Sequence, residues 1–287
     1  MGNRGPKVSA TSATGFAGLE TRRMNGSGTR REFRGIWKRE RPKVSATSAT
    51  VNDDKMERCV LITGCSRGIG RSLSEHFLAA GWRVIGCSRS DVSLESERFD
   101  HFRLDLHDAA AIKEMMQEIR RRCGTLDVLV NNAGAASMAP FTLQPPDVAK
   151  RLMDLNFQSA IEVTHAAIRL LRSAEHPRII NFSSVAVPFR LAGEAIYSAS
   201  KAAVEQWTRV LARELGPLRI TVNAVGPTPI RTDLIRGVAE EKLQALIDRQ
   251  AIPRWGTIDD VINLVDFFVR PASDFITGQV VYLGGAG

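Results

Sequence analysis

A short apolar run, Cys59 to Ile62, is followed at once by TGCSRGIG (Thr63 to Gly70) and then by the helical pattern Arg71 to Ala80. Strand, glycine turn and helix in immediate succession start a βα unit, and a strand that leaves into a helix must pair in parallel with its neighbours. Gly64 permits the tight turn, while Gly68 and Gly70 let the backbone approach a phosphate and the helix pack on the strand. The helix amino terminus offers free N–H groups to an anion, with Ser66, Arg67 and Ile69 beside it. This unit commits the chain to a layered α/β fold with a candidate nucleotide site at one strand end.

The rest of the chain keeps the alternation. Apolar runs predict strands at Trp82 to Cys87, Phe102 to Leu106, Leu126 to Val130, Ile179 to Phe182, Ile220 to Val225 and Gln279 to Leu283. Periodic segments predict helices at Ala109 to Cys123, Val148 to Arg172, Tyr197 to about Leu215, Leu243 to Asp248 and Val261 to Val269. Even spacing predicts a single doubly wound parallel sheet with helices on both faces, over residues 56–287.

Residues 1–55 differ. They are rich in Gly, Ser, Thr and Arg, and carry PKVSATSAT twice, at Pro6–Thr14 and Pro42–Thr50. Such a segment has too little apolar surface to offset its ordering entropy, so a disordered basic tail is expected. An upstream extension or cloning scar, with Met24 or Met56 as the start, fits best; a transit segment and a basic arm are the alternatives. The tail also explains the net charge of +8: residues 1–50 hold 11 of the 39 Lys and Arg and 3 of the 31 Asp and Glu, leaving 28 of each elsewhere. A balanced domain gives no sign of a nucleic-acid surface. No apolar run approaches the ~18 residues of a membrane helix. Cys59, Cys65, Cys87 and Cys123 lack metal or redox spacing and read as reduced thiols of a cytoplasmic protein.

Chemistry concentrates between Ile179 and Ala203. The strand there ends in Ser183 and Ser184; Tyr197 follows, with Lys201 one helical turn later on the same face. A phenol beside an ammonium is expected to have its pKa lowered toward neutrality. With a hydroxyl to hold a carbonyl oxygen, the group can give a proton to, or take one from, a C–O bond. At the second strand's end, where an acidic residue usually takes a ribose 2′-hydroxyl, the chain reads Gly86, Cys87, Ser88, Arg89, with no carboxylate before Asp91. Arg89 and Arg67 there favour a 2′-phosphate, hence NADPH over NADH.

TGCSRGIG, Asp105, NNAG (Asn131 to Gly134), Asn156, Ser184, Tyr197, Lys201, the segment Asn223 to Thr232 and TGQ (Thr277 to Gln279), in that order, resemble the short-chain dehydrogenase/reductase family from about residue 57 onward. The resemblance implies a Rossmann-type fold. It implies Tyr197 as general acid/base, Ser184 as holder of the substrate oxygen, Lys201 on the nicotinamide ribose, and Asn156 holding a relay water. It also implies cofactor contacts from Asp105 with Leu106 (adenine), Asn132, Ala133 and Gly134 (adenosine side), Pro227, Ile230 and Thr232 (carboxamide). Where the family commonly has Pro-Gly after the sixth strand, this chain has Pro227, Thr228, Pro229, which stiffens the loop.

Val185, Val187, Phe189, Leu191 and Ala192, with a lid from Asp233 to Trp255, are expected to make an apolar wall without a converging charge. Arg190, Arg231 and Arg236 read as solvated. The overall pattern is similar to 3-oxoacyl-acyl-carrier-protein reductases, which implies fatty-acid metabolism, a ketone or acyl-carrier-bound substrate and a homo-oligomer, tetramer or dimer. Arg213 and Arg219 are candidates for docking an acidic carrier. An alcohol, sugar or steroid dehydrogenase, or an idle nucleotide-binding member, stand as alternatives.

Overall fold

The computed structural model describes residues 57–286. Seven parallel strands lie in the order β3-β2-β1-β4-β5-β6-β7: β1 Cys59–Thr63, β2 Arg83–Ser88, β3 Phe99–Arg103, β4 Val128–Asn131, β5 Arg178–Phe182, β6 Thr221–Gly226 and β7 Val280–Tyr282. Val60 pairs with Val84 on one side and Val128 on the other. All five residues of β1 are buried, as a strand covered on both faces requires. Strand order reverses at β1 and β4, so a crevice opens at their carboxyl ends.

Period-two alternation divides the core. Val60 and Ile62 point to the layer of α1 (Gly68–Ala79) and α8 (Ile258–Val269), meeting Leu73, Phe77, Val265 and Phe268. Cys59 and Leu61 point to the opposite layer. There α2 (Ala109–Cys123), α4 (Ser159–Leu171) and α6 (Ala195–Leu215) supply Ile112, Met115, Val163, Leu171 and Ala212.

Two expectations need correction. The third strand ends at Arg103, so Asp105 and Leu106 fall in the following loop. Phe102, Leu104 and Leu106 alternate like strand residues, but Leu104 and Leu106 are buried by packing on the α2 side; the Leu104 N–H to Ser88 carbonyl (3.1 Å) ends the pairing. Asp108 then accepts from the N–H groups of Ala110 and Ala111 and starts α2. The helix expected from Val148 to Arg172 is broken into α3 (Pro146–Met153), a π-helical turn (Asp154–Gln158) and α4. A short helix not assigned from the sequence, α5 (Ala186–Phe189), follows β5, and Arg190, in the left-handed region at φ 51°, stops it. A short helix α7 (Glu240–Ile247) completes the set. The readings for residues 1–55, including the repeated nonapeptide, lie outside the described residues.

Candidate active site

A cleft of about 740 Å³ opens at the carboxyl ends of the central strands, reaching from Ile69 and Asn132 past Ser184 and Tyr197 to the 230s and 240s. On one side lies the glycine turn. Gly64 and Gly68 have φ of +71° and +55°, which L side chains rarely adopt. A Cβ at Gly64 would stand 2.9 Å from the Ala133 Cα, and one at Gly70 2.2 Å from the Gly64 carbonyl oxygen. Arg67, at the N-cap of α1, makes no capping bond, and the first turn holds no acid. Backbone donors in a cradle that any side chain would fill suit a pyrophosphate, so the residues present fit a dinucleotide.

The NNAG segment is tied to this turn. Asn132 donates to the carbonyls of Thr63 (2.9 Å) and Gly64 (3.2 Å), while the Thr63 hydroxyl accepts from the N–H groups of Asn132 and Ala133. Asn131 instead bridges layers, donating to Thr164 and Asn181. A Cβ at Gly134 would lie 3.0 Å from Asn156 Oδ1 and 3.4 Å from Lys201 Nζ, which places this glycine directly beside the candidate chemistry.

Ser184, two residues past β5, accepts at its hydroxyl from the Ala186 N–H (3.1 Å) and lies close enough to the Tyr197 phenol to pull its pKa down. Tyr197 and Lys201 are both buried on α6. The ammonium donates to the Phe182 carbonyl (2.9 Å). The expected acidification of the phenol is overturned: burial pushes Tyr197 up to about 12, against the pull of the Ser184 hydroxyl and with a further push from the Glu194 carboxylate. Burial also brings Lys201 down to about 8. Desolvation, set by distant segments closing over the helix, outweighs the i,i+4 pairing.

Asn156 sits in the π-helical turn, a device common at functional sites. Its Oδ1 accepts from the Ala135 N–H (2.8 Å), and its Nδ2 donates to the Ala135 carbonyl (3.0 Å) and Ser200 Oγ (2.9 Å). The side-chain amide is fully engaged in holding the segment after Gly134.

Arg89 is exposed beyond β2, and Arg67 is exposed with one long contact to Asp233 (3.7 Å). The nearby Asp91 pairs with Arg103 (3.3 Å). Asp105 pairs with the His107 ring (2.7 Å) and accepts from its N–H, which holds the carboxyl below its usual range. Ser66 is half-buried in the turn, and Leu106 is buried in the core.

On the lid side, Pro227, Ile230 and Thr232 line the cleft, with Thr232 against Gly68. Thr228, the departure from Pro-Gly, is buried and donates to Gln250 Oε1; Gln250 in turn donates to the Arg254 carbonyl (3.1 Å). The loop is therefore fastened to the segment before α8.

Val185, Leu191 and Ala192 line the cleft as expected, whereas Val187 and Phe189 do not; Phe189 lies under the Arg249 guanidinium (4.6 Å). The expectation of no converging charge also fails, because Glu194, Lys242 and Arg249 line the same space. Arg231 lies over Trp255 (4.2 Å), Arg236 pairs with Asp233 (2.5 Å), and Arg190 is exposed; none of them lines it. Arg213 and Arg219 are exposed; Arg213 lies sixteen positions beyond Tyr197 along α6, roughly 24 Å, so they do not flank the entrance.

Glu194, Gln250 and Met138 were not singled out from sequence. A buried Thr228 demands a partner, but nothing local says that residue 250 provides it. Among the described residues no cluster of metal-ligating side chains occurs, and no helix is long and apolar enough to cross a membrane.

Comparison with known proteins bears on this arrangement. The family described as Enoyl-(Acyl carrier protein) reductase matches residues 64–285. The 3-oxoacyl-[acyl-carrier-protein] reductase FabG of Escherichia coli is 30% identical over 234 residues, covering 79% of this chain and 96% of the relative. D-erythrulose reductase of Gallus gallus is 32% identical over 236 residues, covering 79% and 94%. Among solved structures, ligand-free aldohexose dehydrogenase of Thermoplasma acidophilum superposes with a TM-score of 0.73 at 30% identity, covering 81% of this chain and 94% of that one. A 4-hydroxyisoleucine dehydrogenase complexed with NADH and an actinorhodin polyketide ketoreductase with NADPH each give 0.71 at 25% identity; both cover 80% of this chain, and 98% and 96% of their own. With Ile69 of the glycine turn, Ser184, Tyr197 and Lys201 lining one cleft, the chain belongs to the short-chain dehydrogenase/reductase family and is an oxidoreductase that uses a nicotinamide cofactor.

Proposed function

We propose that the protein is an NADPH-dependent carbonyl reductase acting on a ketone, with Tyr197 as proton donor. The observation that supports this reading is geometric: Ser184, Tyr197 and Lys201 line one cleft together with Ile69 of the glycine turn, so a carbonyl oxygen held there meets a hydroxyl and a protonated phenol beside the nucleotide turn. Ser184 holds that oxygen against the phenol, and Asn156 fixes the strand of chain beside Lys201. Lys201, near 8, is close enough to neutrality to return a proton to the phenol, by way of a water held at the π-helical turn. Bound NADPH supplies the hydride; Gly64, Ser66, Arg67, Gly68, Ile69 and Gly70 would hold its pyrophosphate. Asp105 with Leu106, and Asn132 with Ala133 and Gly134, would take the adenosine side, and Pro227, Ile230 and Thr232 the carboxamide. The exposed Arg67 and Arg89 support a 2′-phosphate.

The FabG relative supports a 3-oxoacyl thioester of fatty-acid metabolism as substrate, and the apolar side of the cleft admits an acyl chain. D-erythrulose reductase supports a hydroxylated ketone instead, a reading favoured by the charged groups that line the cleft. Family likeness supports a cytoplasmic homo-oligomer, dimer or tetramer. The test is a ketone panel followed by NADPH absorbance in wild type and Tyr197→Phe. The variant should bind NADPH and lose turnover by ~10²–10⁴-fold; undiminished turnover would end the reading.

A further inference from the structure

Glu194 stands at the N-cap of α6, where a short polar side chain commonly accepts from the helix's own free N–H groups. It does not do so: no side-chain capping bond forms. Its backbone is held firmly instead. The Glu194 carbonyl accepts from the Ser198 N–H (2.7 Å), its N–H donates to the Leu191 carbonyl (3.2 Å), and the preceding Gly193 carbonyl accepts from the Ala139 N–H (2.9 Å). So fixed, the side chain lines the cleft shared by Ser184 and Tyr197, and its Oε2 is shielded from solvent with no hydrogen-bond partner. Native proteins rarely leave a carboxylate oxygen in that condition, since it forgoes both water and a donor.

The position decides what would relieve it. Glu194 and Tyr197 are three residues apart across the helix start, hence on one face. The carboxylate is close enough to raise the phenol's pKa, and burial raises its own. A group bonded to Oε2 therefore belongs to a molecule whose carbonyl meets Tyr197 and Ser184. The group must be a donor. Lys242 and Arg249 line the same space but are engaged elsewhere, the lysine toward Met138 Sδ (3.9 Å) and the arginine on the Phe189 carbonyl (3.0 Å). Their positive charge in the cleft disfavours a substrate ammonium and leaves a neutral hydroxyl.

We infer that Glu194 is a specificity-determining acceptor that selects ketones bearing a hydroxyl close to the carbonyl. This rests on the carbonyl-reductase reading and names its substrate class. A purely aliphatic ketone would leave Oε2 unpaired in the complex, and sites built to bond a substrate hydroxyl reject the analogue lacking it.

The test compares kcat/KM for 1-hydroxy-2-butanone and 2-butanone, with NADPH, in wild type, Glu194→Gln and Glu194→Leu. Wild type should prefer the hydroxyketone by ~10–10²-fold, as expected for a hydrogen bond to a charged group. Leu should erase most of that ratio, and Gln, which keeps a neutral acceptor, should lower it by ~10-fold. A wild type without preference, or a ratio that both variants leave unchanged, overturns the inference. If neither ketone turns over, the reductase reading fails on its own. The inference is then read by thermal shift with NADP and either 1,2-butanediol or 2-butanol: stabilisation by the diol alone, lost in Glu194→Leu, upholds it, and equal shifts in both proteins refute it.

Discussion

Replacing Lys201 with Met should make the protein more stable at neutral pH while abolishing turnover. Lys201 is 5% exposed, and burial lowers its pKa from an ordinary 10.5 to about 8. The difference amounts to roughly 3 kcal/mol against holding the ammonium in the fold. Met keeps most of the volume without the charge. Against this gain stands the bond to the Phe182 carbonyl (2.9 Å), worth about 1 kcal/mol net. The variant should therefore be more stable by roughly 2 kcal/mol, or about 4–8 °C in melting temperature for a domain of this size. The sign follows from the folded pKa lying below the unfolded one. The wild-type deficit is complete below about pH 8, shrinks as the pH rises toward 10.5, and vanishes above it. Urea unfolding of both proteins at pH 7 and pH 10.5 measures the gap directly, and other titrating groups cancel in the difference. A variant no more stable than wild type at pH 7, or a gap of equal size at both pH values, would refute the claim that desolvation governs this lysine. A positive result would identify Lys201 as a group kept at a cost to stability for its chemistry.

Thr228→Val deletes the hydroxyl bonded to Gln250 at nearly constant volume, leaving a buried acceptor unpaired. It should destabilise by ~1–3 kcal/mol, whereas Thr228→Ser should recover most of the loss; equal urea midpoints for Val and wild type would show that the contact contributes nothing. Arg89→Asp should shift the ratio of kcat/KM for NADPH over NADH toward NADH by roughly 10–100-fold, the value of a charge-assisted phosphate contact. An unchanged ratio would remove Arg89 from cofactor selection.

The sheet was legible because its strands are buried on both faces. CVLIT, RIINF and TVNAVG carry their burial in composition alone, and the glycine turn announces where a helix must leave. The third strand misled because it lies at the sheet's edge, where packing and pairing separate: Leu104 and Leu106 are buried without a strand partner beyond Ser88. The break in the long helix was hidden for a related reason. DLNFQ has no proline or glycine, and what opens it is a tertiary bond set, Asn156 reaching the backbone of Ala135.

The same distinction explains the candidate site. Residue types and spacing placed Ser184, Tyr197 and Lys201 correctly on their elements, because a strand end and one helical turn are local facts. Their protonation is not a local fact. The i,i+4 ammonium predicts an acidic phenol, yet both groups are buried by the strands, the 134–135 segment and the lid together, and desolvation raises one pKa while lowering the other. In water the two groups titrate close together, near 10 and 10.5; buried, the phenol stands near 12 and the amine near 8. That gap makes proton return from lysine to tyrosine favourable, and makes loss of the phenol's proton the difficult step. Glu194 pushes the phenol up further, and its Oε2 has no hydrogen-bond partner within the protein. A substrate hydroxyl on Glu194 would thus do two things at once: hold the ketone in place and weaken the field that keeps Tyr197 from letting go of its proton.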